Sequence, residues 1–163
     1  DLLENFGGHT YAAGLSLKEE NLDAFTQRFL KLAADEIIPE QMTPQIDIDA
    51  VLDLQDINSK FMSELKKMNP FGPDNQKPVF CSLGVKDYGT STLVGKDLEH
   101  IKLELIDDKS NTPIHGIAFG MHQHNTHIKN MKPFNICYTI EENTYNGNTS
   151  LQLMVKDIKE NDI

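Results

Sequence analysis

The chain has 163 residues, 39% of them hydrophobic, enough to build the core of one domain or of two small ones. Its net charge of −10 argues against a free-standing basic nucleic-acid binder, and no apolar run approaches the ~20 residues needed to span a bilayer. The acidity is uneven: residues 1–56 hold 12 acids and 3 bases, whereas residues 57–163 hold 13 acids and 12 bases and are nearly neutral.

In chain order, the first feature is Phe6-Gly7-Gly8-His9-Thr10-Tyr11-Ala12-Ala13-Gly14. Two glycines let a ligand approach the backbone closely, and a short helix seeded by Ala12-Ala13 and stopped by Gly14 would aim its N-terminal N–H groups at the same corner. His9 adds an imidazole donor, so the corner is suited to phosphate. Gly-Gly alone also reads as an ordinary turn. Leu15-Ser16-Leu17 is a short strand candidate. A helix is expected from about Asn21 to Ile38, with Leu22, Phe25, Phe29, Leu32 and Ala33 on one apolar face and Pro39 closing it. This helix reads as a packing element.

From Pro44 the period changes. Ile46, Ile48, Ala50 and Leu52 alternate as a strand, so Asp47 and Asp49 read as its solvated face and not as metal ligands. Asn58 or Ser59 caps a helix through Met68, with Phe61, Met62, Leu65 and Met68 inward. Pro70 to Pro78 is a rigid loop. Strands are then expected at Val79–Val85, Tyr88–Val94, His100–Ile106, Pro113–Phe119, Phe134–Glu141 and Ser150–Ile158. A polar loop spans residues 107–111, a short helix lies within His122–Met131, and Asn146-Gly147 is a turn. The fold class is α+β, ending in a small Greek-key barrel of the OB type. Phe80, Phe119 and Phe134 read as core. Cys81 and Cys137 read as reduced core residues of a cytosolic protein.

Such barrels hold single strands by stacking bases on aromatic side chains and tracking phosphates with lysines. The candidates are Tyr88, Tyr145 and Phe71 for stacking and Lys86, Lys96 and Lys102 for phosphates, with Phe71 also readable as a junction anchor. Lys60, Lys66, Lys67 and Lys77 extend a possible basic stripe, or are ordinary solvated lysines. His115, His122, His124 and His127 form a candidate metal cluster, the last three with metal-like spacing, but no ligand set completes it and no metal site is assigned.

Two sets of motifs carry a family resemblance. Gly7-Gly8-His9-x-x-Ala12-Ala13-Gly14 resembles the signature of the domain that accompanies DHH phosphoesterases. Met68-Asn69-Pro70-Phe71-Gly72-Pro73-Asp74-Asn75-Gln76-Lys77-Pro78-Val79-Phe80, Leu93-Val94-Gly95-Lys96 with His100-Ile101-Lys102-Leu103, Ile117-Ala118-Phe119-Gly120 and residues 150–158 resemble, in order and spacing, the RecJ exonucleases of that family. Asp74 departs from the pattern, standing where the family has glycine.

The resemblance implies that residues 1–43 are the end of the DHH-associated domain and 44–163 an OB nucleic-acid-binding domain. It further implies part of a 5′-to-3′ single-stranded-DNA exonuclease of recombination and repair, cytoplasmic, with single-stranded DNA and repair proteins as partners and no membrane. Gly7 and Gly8 would hold phosphate and His9 would act in catalysis. The divalent manganese or magnesium of such enzymes would be held by a domain this chain lacks, for no Asp-His-His triplet occurs here, and the chain alone is expected to be inactive. Two alternatives stay open: a non-catalytic protein-interaction module, and part of a DHH oligoribonuclease or nucleotide phosphatase.

Overall fold

A computed structural model describes residues 2–110, 112–145 and 147–161, with Tyr145 described by its backbone only. The chain divides into two compact units, residues 1–46 and 47–163.

In the first unit, β1 (Leu3–His9) and β2 (Ala12–Leu17) form an antiparallel hairpin turned at Thr10-Tyr11, with Gly7 opposite Gly14 and Gly8 opposite Ala13. The expected helix at Ala12-Ala13 is therefore absent, and Gly14 is a strand residue and not a helix stop. Alanine favours helix by only tenths of a kcal/mol per residue, and cross-strand pairing overrides it. The small residues instead let the strands close up: a Cβ on Gly8 would lie 3.0 Å from the Cα and Cβ of Ala13. Helix α1 (Leu22–Glu36) follows a 3-10 turn at Glu19–Asn21, and Pro39 opens a second 3-10 turn. Phe25 and Phe29 stack at 5.7 Å, yet no residue of α1 is buried, and Leu22, Phe29 and Leu32 are exposed.

The second unit opens with a strand shorter than expected, β3 (Ala50–Val51). Asp49 starts the ladder: its N–H donates to Val79 O and its carboxylate accepts from Val79 N, both at 2.8 Å. Ile46 and Ile48 precede that start and stay exposed. Helix α2 (Ser59–Lys66) is capped by Asn58, whose Oδ1 accepts from Lys60 N and Phe61 N at 3.1 Å. Leu65 is buried and Phe61 and Met62 pack against the core, but Met68 is exposed because the helix ends two residues before it. In the proline loop, Asn75 Nδ2 donates to the carbonyls of Met68 and Pro70 at 2.9 and 2.8 Å. Asp74 there adopts φ 63°, so an aspartate, one of the few residues tolerated in the left-handed region, keeps a turn suited to glycine.

Five strands close a barrel: β4 (Phe80–Asp87), β6 (His100–Ile106), β7 (Ile114–Ala118), β8 (Phe134–Tyr145) and β9 (Asn148–Glu160). The order around it is β4-β8-β9-β7-β6, and β6 returns to β4 through Lys86↔Ile106 and Asp87↔Leu105. All pairings within the barrel are antiparallel except β7 with β9. This is the five-stranded OB arrangement, with α3 (Asn125–Lys129) between β7 and β8 and its Ile128 fully buried. Val85, Ile101, Leu103, Leu105, Phe134, Ile136, Ile140 and Leu153 fill the interior. Gly84, at φ 65°, supplies the left-handed residue where the β4–β8 register shifts. Tyr138 OH donates to Ser82 Oγ at 2.7 Å, and Ser82 passes its own hydrogen to Leu52 O at 2.7 Å; burial pushes the Tyr138 phenol well above its ordinary range.

Of the expected strand Tyr88–Val94 only β5 (Thr92–Val94) forms, paired to β6. Buried Asp87 prevents the rest: its Oδ1 accepts from Ser91 Oγ at 2.6 Å and Ser91 N at 3.1 Å, folding residues 88–90 outward. Phe119, expected in the core, lies outside it and is 54% exposed. Strands β8 and β9 run further than expected, to Tyr145 and from Asn148; the turn residue Asn146 lies outside the described residues.

Asp107 ties the β6–β7 loop to the segment before α2. Burial works against its charge, but hydrogen bonds from Leu54 N (2.7 Å), Lys109 N (2.9 Å) and Ser110 outweigh burial and hold its carboxyl below the usual range. Its contribution is therefore present above the ordinary carboxylate pKa and lost as pH falls through the lower folded value. Asp107→Ala should cost about 1–3 kcal/mol in urea unfolding at neutral pH. The gap to the wild type should narrow well below about pH 4, where the ordinary aspartate protonates.

Candidate nucleic-acid interface

The first candidate group sits on the β1–β2 hairpin. Gly7, Gly8 and His9 are all exposed strand residues, so no helix dipole is aimed at them. Tyr11 N donates to His9 Nδ1 at 3.2 Å, which in the neutral ring leaves the proton on Nε2 as an outward donor.

The second group is set by strand alternation. On β6, Ile101, Leu103 and Leu105 point inward, so His100, Lys102 and Glu104 point out. On β7 the small residues Gly116 and Ala118 face in and His115 and Ile117 face out; Phe119 continues that phase. Register places Thr92, Lys102, Ile117 and Met154 in one cross-strand row over β5, β6, β7 and β9. Glu104, His115 and Gln152 form the next row. On the other side of the first row, the rings of His100 and Phe119 meet edge to face at 4.9 Å.

His100 is itself fixed. Gly120 N donates to its Nδ1 at 3.0 Å, and its Nε2 lies 3.2 Å from Glu99. A hydrogen bond from its own amide, another from Asp97 N, and the nearby His100 and His122 hold the Glu99 carboxyl below the usual range. The acids of this face are engaged locally: Glu104 accepts from Thr90 Oγ1 and lies 3.4 Å from His115. Lys102 and Lys96, the latter in the β5–β6 turn, make no ion pair among the described residues. Tyr88 stands on the outward fold created by Asp87 and Ser91, 52% exposed, its N–H bonded to Glu104 O at 2.8 Å.

The remaining candidates lie elsewhere. Lys86 is paired with Asp108 at 3.1 Å, and Lys66, Lys67 and Lys77 with Glu142, Glu64 and Glu141 at 2.7 Å, so these four lysines do not form a free basic stripe. Phe71 is half-buried against the barrel core, beside Lys66, Lys77, Glu141 and Glu142. The side chain of Tyr145 lies outside the described residues. His124 and His127 both meet Glu160, at 2.7 and 3.2 Å, while His122 does not join them. Among the described residues no group of three His, Cys, Asp or Glu side chains could hold a metal ion.

Sequence reasoning missed Phe119, His100, Ile117 and Met154 as one surface. The signal was present in β7: alternation around Gly116 and Ala118, both too small for an outward stacking role, puts Phe119 on the opposite side.

Residues 48–157 match the model of the RecJ OB domain. The chain is 28% identical over 158 residues to the single-stranded-DNA-specific exonuclease RecJ of Salmonella typhimurium, covering 97% of this chain and 27% of that protein. The match to the enzyme of the same name from Bacillus subtilis is also 28%, over 96% of this chain and 20% of that one. The chain thus spans about a quarter of the length of these relatives. The crystal structure of RecJ in complex with Mn2+ from Thermus thermophilus superposes with a TM-score of 0.76 at 20% identity, covering 99% of this chain and 22% of that one, a likeness of fold. No described helix is long and apolar enough to cross a membrane. A closed five-stranded barrel that matches the family model over residues 48–157 makes this chain a member of the RecJ OB domain family.

Proposed function

We propose that the barrel binds single-stranded DNA across the outer face of β5, β6, β7 and β9. The observation that carries this reading is Phe119, exposed, in T-shaped contact with the His100 ring, and on the same face as Lys102, which makes no ion pair among the described residues. An exposed aromatic offers a base a π-face, and lysines follow the backbone. Tyr88 and Lys96 extend the surface along the β4–β5 and β5–β6 connections; Lys86 serves once it exchanges Asp108 for a phosphate. Phe71 anchors packing in this reading.

Residues 1–43 are then the end of the DHH-associated domain and 44–163 the DNA-gripping domain of a 5′-to-3′ exonuclease, cytoplasmic and active in recombination and repair. Gly7, Gly8 and His9 face the scissile phosphate, with His9 Nε2 donating to a non-bridging oxygen. Divalent manganese or magnesium would be held by other parts of the parent enzyme. Among the described residues no group of side chains forms a cradle for it, and the chain alone should hydrolyse nothing.

Fluorescence anisotropy with a labelled oligothymidylate tests the reading. Affinity should fall steeply with salt, by about 0.7 in log–log slope per phosphate contacted, and duplex of the same length should bind more weakly. Lys102→Ala should flatten that slope by about 0.7 without changing the melting temperature. No binding even at low salt would defeat the reading and favour a protein-interaction module.

A further inference from the structure

The two cysteines of this chain come from strands far apart in sequence, at positions 81 and 137, yet they stand directly opposite each other in the antiparallel β4–β8 pair. Both are reduced and nearly buried, 7% and 8% exposed. The flanking pairs, Phe80 with Tyr138 and Ser82 with Ile136, point into the barrel. By alternation Cys81 and Cys137 both point to its outer side, in a row with Val51 of β3 and Asp157 of β9.

The backbone shows which kind of pair this is. The carbonyls of Val79 and Cys81 accept from the residues flanking β3, from Asp49 N and Leu52 N, both at 2.8 Å. At Cys81 the peptide groups thus face β3 and not β8, so Cys81 and Cys137 form a non-hydrogen-bonded pair. In such pairs the Cα atoms are about 4.5 Å apart and the side chains are at their closest. Disulfides need a Cα separation of roughly 4.4–6.8 Å, a range that includes the spacing typical of such a pair. The cover over it is slight: β3 is two residues long and its Val51 is 62% exposed.

We propose that Cys81 and Cys137 form a reversible intramolecular disulfide that staples β4 to β8 when the protein meets an oxidising small-molecule disulfide. One cysteine, as thiolate, attacks the small disulfide and releases one small thiol. The other cysteine displaces the second small thiol and closes the protein S–S bond. Two protein thiols lose two protons and two electrons, and the small disulfide leaves as two thiols. Burial pushes both thiols up, and at Cys137 the neighbouring Asp157 and Cys81 add to it. Exchange is therefore slow at neutral pH and faster in alkaline buffer. The staple lies on the β4–β8 seam and does not depend on the DNA-binding reading.

The test equilibrates the purified chain in glutathione buffers of rising oxidised fraction at about pH 8.5, near the ordinary thiol pKa. The samples are acid-quenched, alkylated in denaturant and weighed intact. The expected product is a monomer two hydrogens lighter, carrying no alkyl label, restored by dithiothreitol, and giving a linked Cys81–Cys137 peptide on non-reducing digestion. Cys81→Ala and Cys137→Ala should each take one label and never yield that product. Two labels per chain at equilibrium in the most oxidising buffer would overturn the proposal. So would glutathione adducts or disulfide-linked dimers as the sole oxidised products.

Discussion

His9→Ala, introduced into the intact parent enzyme, is expected to lower kcat for single-strand hydrolysis about 10²–10³-fold, the effect of removing one donor from a developing oxyanion. His9 is exposed, accepts from Tyr11 N at 3.2 Å and meets the Tyr11 ring at 6.3 Å between centroids, and its ladder partner Ala12 is paired through the backbone. The melting temperature should therefore stay within the small range of surface substitutions, about ±0.5 kcal/mol. On the proposed role, in which the ring would meet charge that grows in the transition state, the loss should fall on kcat more than on KM. His9→Gln, which keeps an N–H donor near the position of Nε2, should recover part of the rate. A variant with wild-type kcat would remove His9 from the site while leaving the barrel's binding role intact.

Phe119→Ala is expected to weaken oligothymidylate binding about 5- to 150-fold, corresponding to the ~1–3 kcal/mol lost when one base loses its aromatic platform. Stability should change little, because the ring is outside the core and packs T-shaped on the His100 ring. Phe119→Tyr should bind nearly as well, since the π-face is kept. The salt slope should remain that of the wild type, because no phosphate contact is removed, which separates this loss from that of Lys102→Ala. Binding within twofold of wild type for Phe119→Ala would place the strand on another face of the barrel.

The parts of the molecule legible in the sequence are those set by neighbours within a few residues. Strand β6 was expected at His100–Ile106 and is found there, because Ile101, Leu103 and Leu105 alternate without interruption. The α2 cap at Asn58 was readable for the same reason: its acceptor and the two N–H groups it serves lie within three positions. The order of motifs that resembles the RecJ exonucleases was likewise in the chain itself, and the match to the RecJ OB domain over residues 48–157 bears it out. Propensity misled at Ala12-Ala13, where a strand opposite Gly7 and Gly8 outweighs the helix preference of two alanines.

What the chain alone determined, then, is the kind and order of most elements after the first hairpin and the family they compose, since both rest on local periodicity and short motifs. Only the tertiary structure decided that β6 returns to β4, that β7 runs parallel to β9, and that Asp87 turns Tyr88 outward. The same holds for Phe119 sharing a face with Lys102 and for Cys81 standing opposite Cys137. Each of these last relations depends on which distant strand supplies the partner N–H and C=O groups, and a one-residue change of that register would turn every one of these side chains to the other side of the sheet.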